Sequence, residues 1–115
     1  MIISDVTKLI GGNIICGQEM ADECQVQYGF SSDLMSDVLT LDSDKLLLIT
    51  GLTNPQAIRT AEMSDIPAII FVRNKKITTE MIDLAKELSI ILIVCKHSMF
   101  FVSGQLFNAG LKAVY

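Results

Sequence analysis

The second half of the chain is organised by three continuous apolar runs. They are LLLIT from residue 46, AIIFV from residue 68 and IILIV from residue 90, so their starts are 22 residues apart. An uninterrupted apolar run is typical of a strand that is covered on both faces, as in a parallel sheet. We therefore predict three parallel, buried strands in this half of the chain.

Helical periodicity fills both gaps between these runs, since apolar residues recur there at spacings of three and four. The positions are Ala57, Ile58 and Ala61 in the first gap, and Met81, Ile82, Ala85 and Leu88 in the second. Two consecutive strand–helix–strand units imply right-handed crossovers. The pattern predicts an α/β fold, a three-layer sandwich with a mainly parallel sheet of βαβ units. The length of 115 residues fits a single domain over 1–115.

The first half gives shorter signals. A short helix is expected from Ser4 to the glycine pair at 11–12, followed by a strand in NIICG (13–17). Apolar and polar residues alternate in CQVQY (24–28), which predicts a strand with one solvated face. In SSDLMSDVL (31–39) a short helix is expected, with Ser32 or Asp33 as its cap.

The last segment, from Ser98, predicts a helix over 98–111 with an unusually wide apolar arc. One strip of this helix holds Phe100, Gly104, Phe107 and Leu111, and a second strip holds Met99, Val102 and Leu106. So wide an arc needs cover on more than one side. Either the whole arc packs on the home sheet, or the first strip forms a homodimer interface. The sequence leaves these alternatives open.

Charge and composition exclude several classes of protein. The net charge is −4, with −7 carried by residues 1–44 and +3 by residues 45–115, which argues against a nucleic-acid binder. No apolar run approaches the roughly 20 residues that span a bilayer, and the N-terminus lacks a signal-peptide pattern. We expect a soluble cytoplasmic protein.

The three cysteines of the chain form no C-x-x-C pair, so we expect structural thiols and no zinc site.

The loops after the three strands are the candidate ligand site, because ligands of open parallel sheets lie beyond the carboxyl ends of the strands. Four of the nine basic residues fall in the second and third loops, and a glycine turn with an Asn-Pro helix start forms the first. The candidate residues for a phosphorylated anion are Gly51, Thr53, Asn54, Arg73, Lys75, Lys96 and His97. The alternative is a connecting turn beside an ordinary solvated surface.

No catalytic or metal-binding set can be assembled from the sequence. Neither a Walker A loop nor G-x-G-x-x-G occurs. His97 is the only histidine, and it could act as a general base or have a structural role. Asp33 and Asp37 share a helix face and could bind a cation, but two carboxylates are weak evidence and an acidic solvated face is the favoured explanation. We expect no enzyme, no cofactor and no metal.

Several segments together resemble the short, stand-alone members of the DRTGG domain family. They are SDLMSDVL (32–39), TGLTNPQAIRTAEM (50–63), EMIDLAKELSI (80–90) and SMFFVSGQLFNAGL (98–111), so the resemblance covers nearly the whole chain. The residues that give the family its name are absent. Leu52 and Thr53 follow Gly51 in place of the Asp-Arg pair, and 73–75 replace the Thr-Gly-Gly run.

The resemblance implies an α/β fold that is also similar to the N-terminal domain of HPr kinase/phosphorylase. It further implies a regulatory or dimerising role, since such domains lie beside CBS modules in regulated pyrophosphatases and occur in some phosphotransacetylases. A metabolic or redox enzyme is the implied partner. We therefore carry three hypotheses: a non-catalytic homodimeric interaction module, a sensor of a nucleotide or another phosphorylated anion, and, least favoured, an enzyme.

Overall fold

The computed structural model describes all residues, 1–115, as alternating helices and strands. In chain order the elements are α1 (Ile3–Leu9), β1 (Asn13–Cys16), a 3₁₀ turn (Gln18–Met20), β2 (Tyr28–Ser31), α2 (Met35–Val38), β3 (Leu46–Thr50), α3 (Pro55–Met63), β4 (Ala68–Phe71), α4 (Thr79–Leu88), β5 (Ile91–Val94), α5 (Met99–Asn108) and β6 (Lys112–Ala113).

All six strands form one sheet in the order β1-β5-β4-β3-β2-β6. Each neighbouring pair is parallel, except that β1 runs antiparallel to β5 at one edge. The three strands predicted from the continuous apolar runs are confirmed as the centre of this sheet. Their loops therefore leave from the same edge, which is where the candidate anion residues were expected.

The three-layer sandwich is confirmed, because helices cover both faces of the sheet. Leu47 and Ile49 of β3 pack in one core cluster with residues of α1 and α5. Leu46 and Leu48 pack in a second cluster with residues of α2, α3 and α4. Every residue of β3 is buried, since alternate side chains enter opposite cores. This arrangement explains why the run is apolar without interruption.

The predicted strand over 24–28 was wrong. The strand is β2, at Tyr28–Ser31, and residue Gln25 forms only an isolated bridge with Ile2. Val26 is buried against α1 and α5, and its N–H donates to the Met1 carbonyl at 2.8 Å. The apolar–polar alternation therefore reflects packing against the N-terminal segment, which the chain pattern cannot distinguish from sheet pairing.

The helix expected after Ser32 is present as α2, but its cap was wrong. Leu34 is the cap residue, and no side chain caps this helix. The Ser32 hydroxyl accepts a hydrogen bond from the Leu34 N–H at 3.0 Å, two residues on. Asp33 turns away from the helix and contacts the loop after β3. There the carboxylate accepts two hydrogen bonds, from the Thr50 hydroxyl and the Gly51 N–H.

The last helix is shorter than the predicted range of 98–111. It begins as expected after Ser98, whose hydroxyl accepts from the Phe101 N–H at 3.2 Å, but it ends at Asn108. Gly110 has φ +114, a conformation that reverses the chain. The residues that follow form β6, which pairs in parallel with β2. Leu111 therefore lies in the turn and not on the helix.

Candidate functional site

The glycine turn after β3 is occupied by a carboxylate of the chain itself. Asp33 Oδ1 accepts a hydrogen bond from the Gly51 N–H at 2.6 Å and another from the Thr50 hydroxyl at 3.0 Å. The Leu52 N–H donates to the same hydroxyl at 3.1 Å. These are the backbone and hydroxyl donors that an external anion would need at this turn. In this structure their acceptor is Asp33.

Arg73 completes the arrangement at the turn. Its backbone φ is +66 and that of Asn74 is +57, and this left-handed pair reverses the chain after β4. A Cβ atom on Gly51 would meet the Arg73 guanidinium, with Cζ only 3.1 Å away. Arg73 Nη2 lies 3.7 Å from Asp33 Oδ2, in an ion pair that is half exposed. The positive charge of Arg73 is therefore already paired with Asp33.

Two other candidate residues near this turn have structural contacts. The Asn54 side chain accepts from the Ala57 N–H at 3.1 Å and caps α3. The His97 ring packs against Phe101, with ring centroids 4.3 Å apart, and the His97 carbonyl accepts from the Arg73 N–H at 2.8 Å. These contacts fix the loops. None of them assembles a proton-transfer pair.

Lys75 and Lys96 lie elsewhere on the same edge of the sheet, where both line a cavity of about 310 Å³. We call it the lysine cavity. It lies where the loops after β4 and β5 approach the turn between α1 and β1. The lining residues are Gly11, Asn13, Asn74, Lys75, Val94, Cys95 and Lys96. Among the seven predicted anion residues, the structure thus separates Gly51 and Arg73 from the two lysines.

The four residues predicted as a dimer interface line a single groove of about 330 Å³, which we call the α5 groove. Phe100 is 90% exposed and Phe107 is 69% exposed, whereas Leu111 is buried at the base. Nothing lies within 4 Å of a Cβ placed on Gly104. The groove lies between α5 and the β2–β6 edge. Ser31 and Ser103 hydrogen-bond across it, with their hydroxyl oxygens 2.6 Å apart.

The remaining chemistry-bearing residues do not form a reactive centre. No group of three or more His, Cys, Asp or Glu side chains lies close enough to hold a metal ion. Burial raises the pKa of the Cys16 thiol, and burial also raises the pKa of Cys24. Both thiols are therefore protonated at neutral pH, and neither is an activated nucleophile. None of the helices has the length and apolar character needed to span a bilayer.

Comparison with known proteins supports the fold. The structure is similar to the CBS and DRTGG domains of the regulatory region of Clostridium perfringens pyrophosphatase, with a TM-score of 0.72 and 12% identity. The chain therefore shares its fold with part of a structure that contains CBS and DRTGG domains. The match covers 97% of this chain and 50% of the clostridial one, so this chain spans about half the length of that structure. No protein-family model and no curated protein matches the sequence.

The solved protein with this fold is the regulatory region of a pyrophosphatase. Its crystal structure contains the activator diadenosine tetraphosphate. Two features of the present chain had no signal in the sequence analysis. One is the contact of Asp33 with the turn at Gly51, and the other is the contribution of Asn13 and Asn74 to the lysine cavity.

Proposed function

We propose that this chain is a non-catalytic regulatory module that forms a homodimer through the α5 groove. The observation that carries the proposal is the outer surface of α5, which has no charged residue and exposes Phe100 and Phe107 beside an open groove. Exposed aromatic side chains around a cavity are the usual anchors of protein interfaces. The fold packs without them, so their exposure needs a partner.

A second copy of the chain suits this surface because it carries both a projection and a recess. Phe100 and Phe107 project from α5, and Gly104 leaves an opening between them on the same helix. A two-fold dimer requires a patch that is complementary to itself. In such a dimer a phenylalanine of each copy would fill the opening at Gly104 of the other.

A regulatory role is supported by the fold, because the similar solved structure is the regulatory region of a pyrophosphatase. In the proposed role the dimer acts in the cytoplasm on a metabolic or redox enzyme, the kind of partner that the DRTGG resemblance implies. The dimer would bind this enzyme and would not itself catalyse a reaction.

Sedimentation equilibrium of the purified chain tests this function. The wild type should be a dimer, and Phe107→Lys should be a monomer, since a buried aromatic anchor contributes about 2 kcal/mol or more to an interface. Met63→Lys is the matched control. Met63 is 68% exposed, close to the value for Phe107, but it lies on α3 on the opposite face. A monomeric wild type, or equal effects of the two variants, would contradict the proposal.

The second candidate function is a sensor of a nucleotide or another phosphorylated anion at the carboxyl edge of the strands. It is favoured by the basic residues at this edge, where Lys75 and Lys96 share a cavity. The clostridial structure, which has the same fold, was obtained with a phosphorylated activator. Sensing and dimerisation are compatible, because the lysine cavity and the α5 groove share no lining residue.

A further inference from the structure

We propose that the lysine cavity is the anion site of this domain and that it takes the phosphate or pyrophosphate group of a small molecule. This inference rests on the second candidate function and specifies its location. It does not depend on the dimer.

The hydrogen-bond donors of the neighbouring turn at Gly51 already have an acceptor. The Gly51 N–H and the Thr50 hydroxyl donate to Asp33, and Arg73 is ion-paired with the same carboxylate. A phosphate entering there would have to displace Asp33 and leave that carboxylate beside its own negative charge. Such like charges repel strongly at short distance. The turn at Gly51 is therefore a poor site for an external anion.

The lysines of the lysine cavity, in contrast, form no ion pair within the chain. The ion pair between Arg73 and Asp33 is the sole salt bridge of the chain, so neither Lys75 nor Lys96 has a carboxylate within 4.0 Å. No acidic residue lines the cavity. Two lysines line one cavity without a carboxylate to offset their charge, and an anion bound there would lower the repulsion between them.

The lysine cavity also offers hydrogen-bond donors. Asn13 and Asn74, whose side chains carry amide N–H donors, also line the cavity. The backbone N–H groups of Lys75 and Lys96 donate to no acceptor in the chain. Ammonium, amide and peptide N–H donors are the groups that bind phosphate oxygens. The volume of about 310 Å³ admits a small ligand group.

A cavity at the amino ends of the strands carries the opposite charge to the lysine cavity. It is lined by Asp42, Asp44 and Asp65 with no basic residue, and it has a volume of about 250 Å³. The lining of this cavity would repel an anion, whereas the lining of the lysine cavity would attract one.

The test is calorimetric titration of the full chain with inorganic pyrophosphate. Lys75→Ala and Lys96→Ala should each weaken binding about tenfold, or about 1.4 kcal/mol. Lys76→Ala is the matched control, because Lys76 is exposed in the same loop but does not line the cavity. It should bind like the wild type. All three lysines are exposed, so the variants should fold, and thermal melts without ligand verify this.

Three results would overturn the proposal, and they separate it from the functions above. Equal weakening by all three lysine variants would mean unspecific attraction to the basic edge. Weakening by Arg73→Ala with no effect of Lys75→Ala would keep the sensor but move its site to the turn at Gly51. The absence of any heat of binding to the wild type would remove pyrophosphate sensing altogether and leave the dimer as the remaining function.

Discussion

Helices α4 and α5 have the same length and the same kind of start, but their outer surfaces differ. Each has ten residues, and each begins after a hydroxyl residue, Thr78 or Ser98, that accepts from a backbone N–H three residues on. The exposed residues of α4 include Glu80, Asp83, Lys86 and Glu87, whereas those of α5 include Phe100, Phe101 and Phe107 and no charge.

The difference shows which residues the fold itself requires. A helix on a sheet needs one apolar strip. In α4 that strip includes Met81 and Ala85, and in α5 it includes Val102 and Leu106. The phenylalanines of α5 are additional to this need. Exposed apolar side chains are unfavourable in water, and those of α5 would be covered in the proposed dimer.

The largest effect is expected from separating the two strips of α5 by mutation. Leu106→Ala should lower the free energy of unfolding by about 2–5 kcal/mol, because Leu106 is 1% exposed and its loss leaves a cavity. Phe107→Ala, one residue on, should change it by less than about 0.5 kcal/mol in the monomer. Urea unfolding, at protein concentrations too low for the dimer to form, measures the free energy of unfolding of both variants. Similar losses for the two variants would mean that Phe107 belongs to the core of the monomer.

A smaller effect, of opposite sign in monomer and dimer, is expected at Gly104. Gly104→Ala should raise monomer stability by up to about 1 kcal/mol, since glycine is a poor helix former and the added Cβ meets nothing within 4 Å. The same Cβ would narrow the opening that receives the partner's phenylalanine, so the dimer should weaken. Urea unfolding and sedimentation equilibrium measure the two quantities. A variant that strengthens the dimer would contradict the proposed packing.

Much of the fold could be predicted because its centre is defined by local patterns. The runs at 46, 68 and 90 are buried on both sides, and Asn54, Thr78 and Ser98 cap the helices that follow them. The edge strand β1 was predicted at 13–17, but β2 was misplaced and β6 was missed for a physical reason. β6 has two exposed residues, and β2 has no buried residue, so neither has the apolar signature of a core strand.

The candidate sites were predictable only in part. The basic residues were identified from their position after the strands, but their division into two groups depends on the left-handed turn at Arg73 and Asn74. The pairing of Asp33 with Gly51 joins residues 18 apart through a loop, and no periodic pattern encodes it. For α5, the sequence predicted the apolar arc. Only the structure shows which strip is buried.

The most direct test of the central claim is a dilution series of the isotope-labelled wild type followed by amide NMR. If the α5 groove joins two copies, the signals of Phe100, Gly104 and Phe107 should shift with concentration, together with those of the β2–β6 edge. Signals from α4 should stay fixed over the same range and serve as the internal reference. Shifts on α4 with none on α5, or no shifts on α5 over a range in which sedimentation shows the dimer dissociating, would contradict the assignment of the α5 groove as the dimer interface.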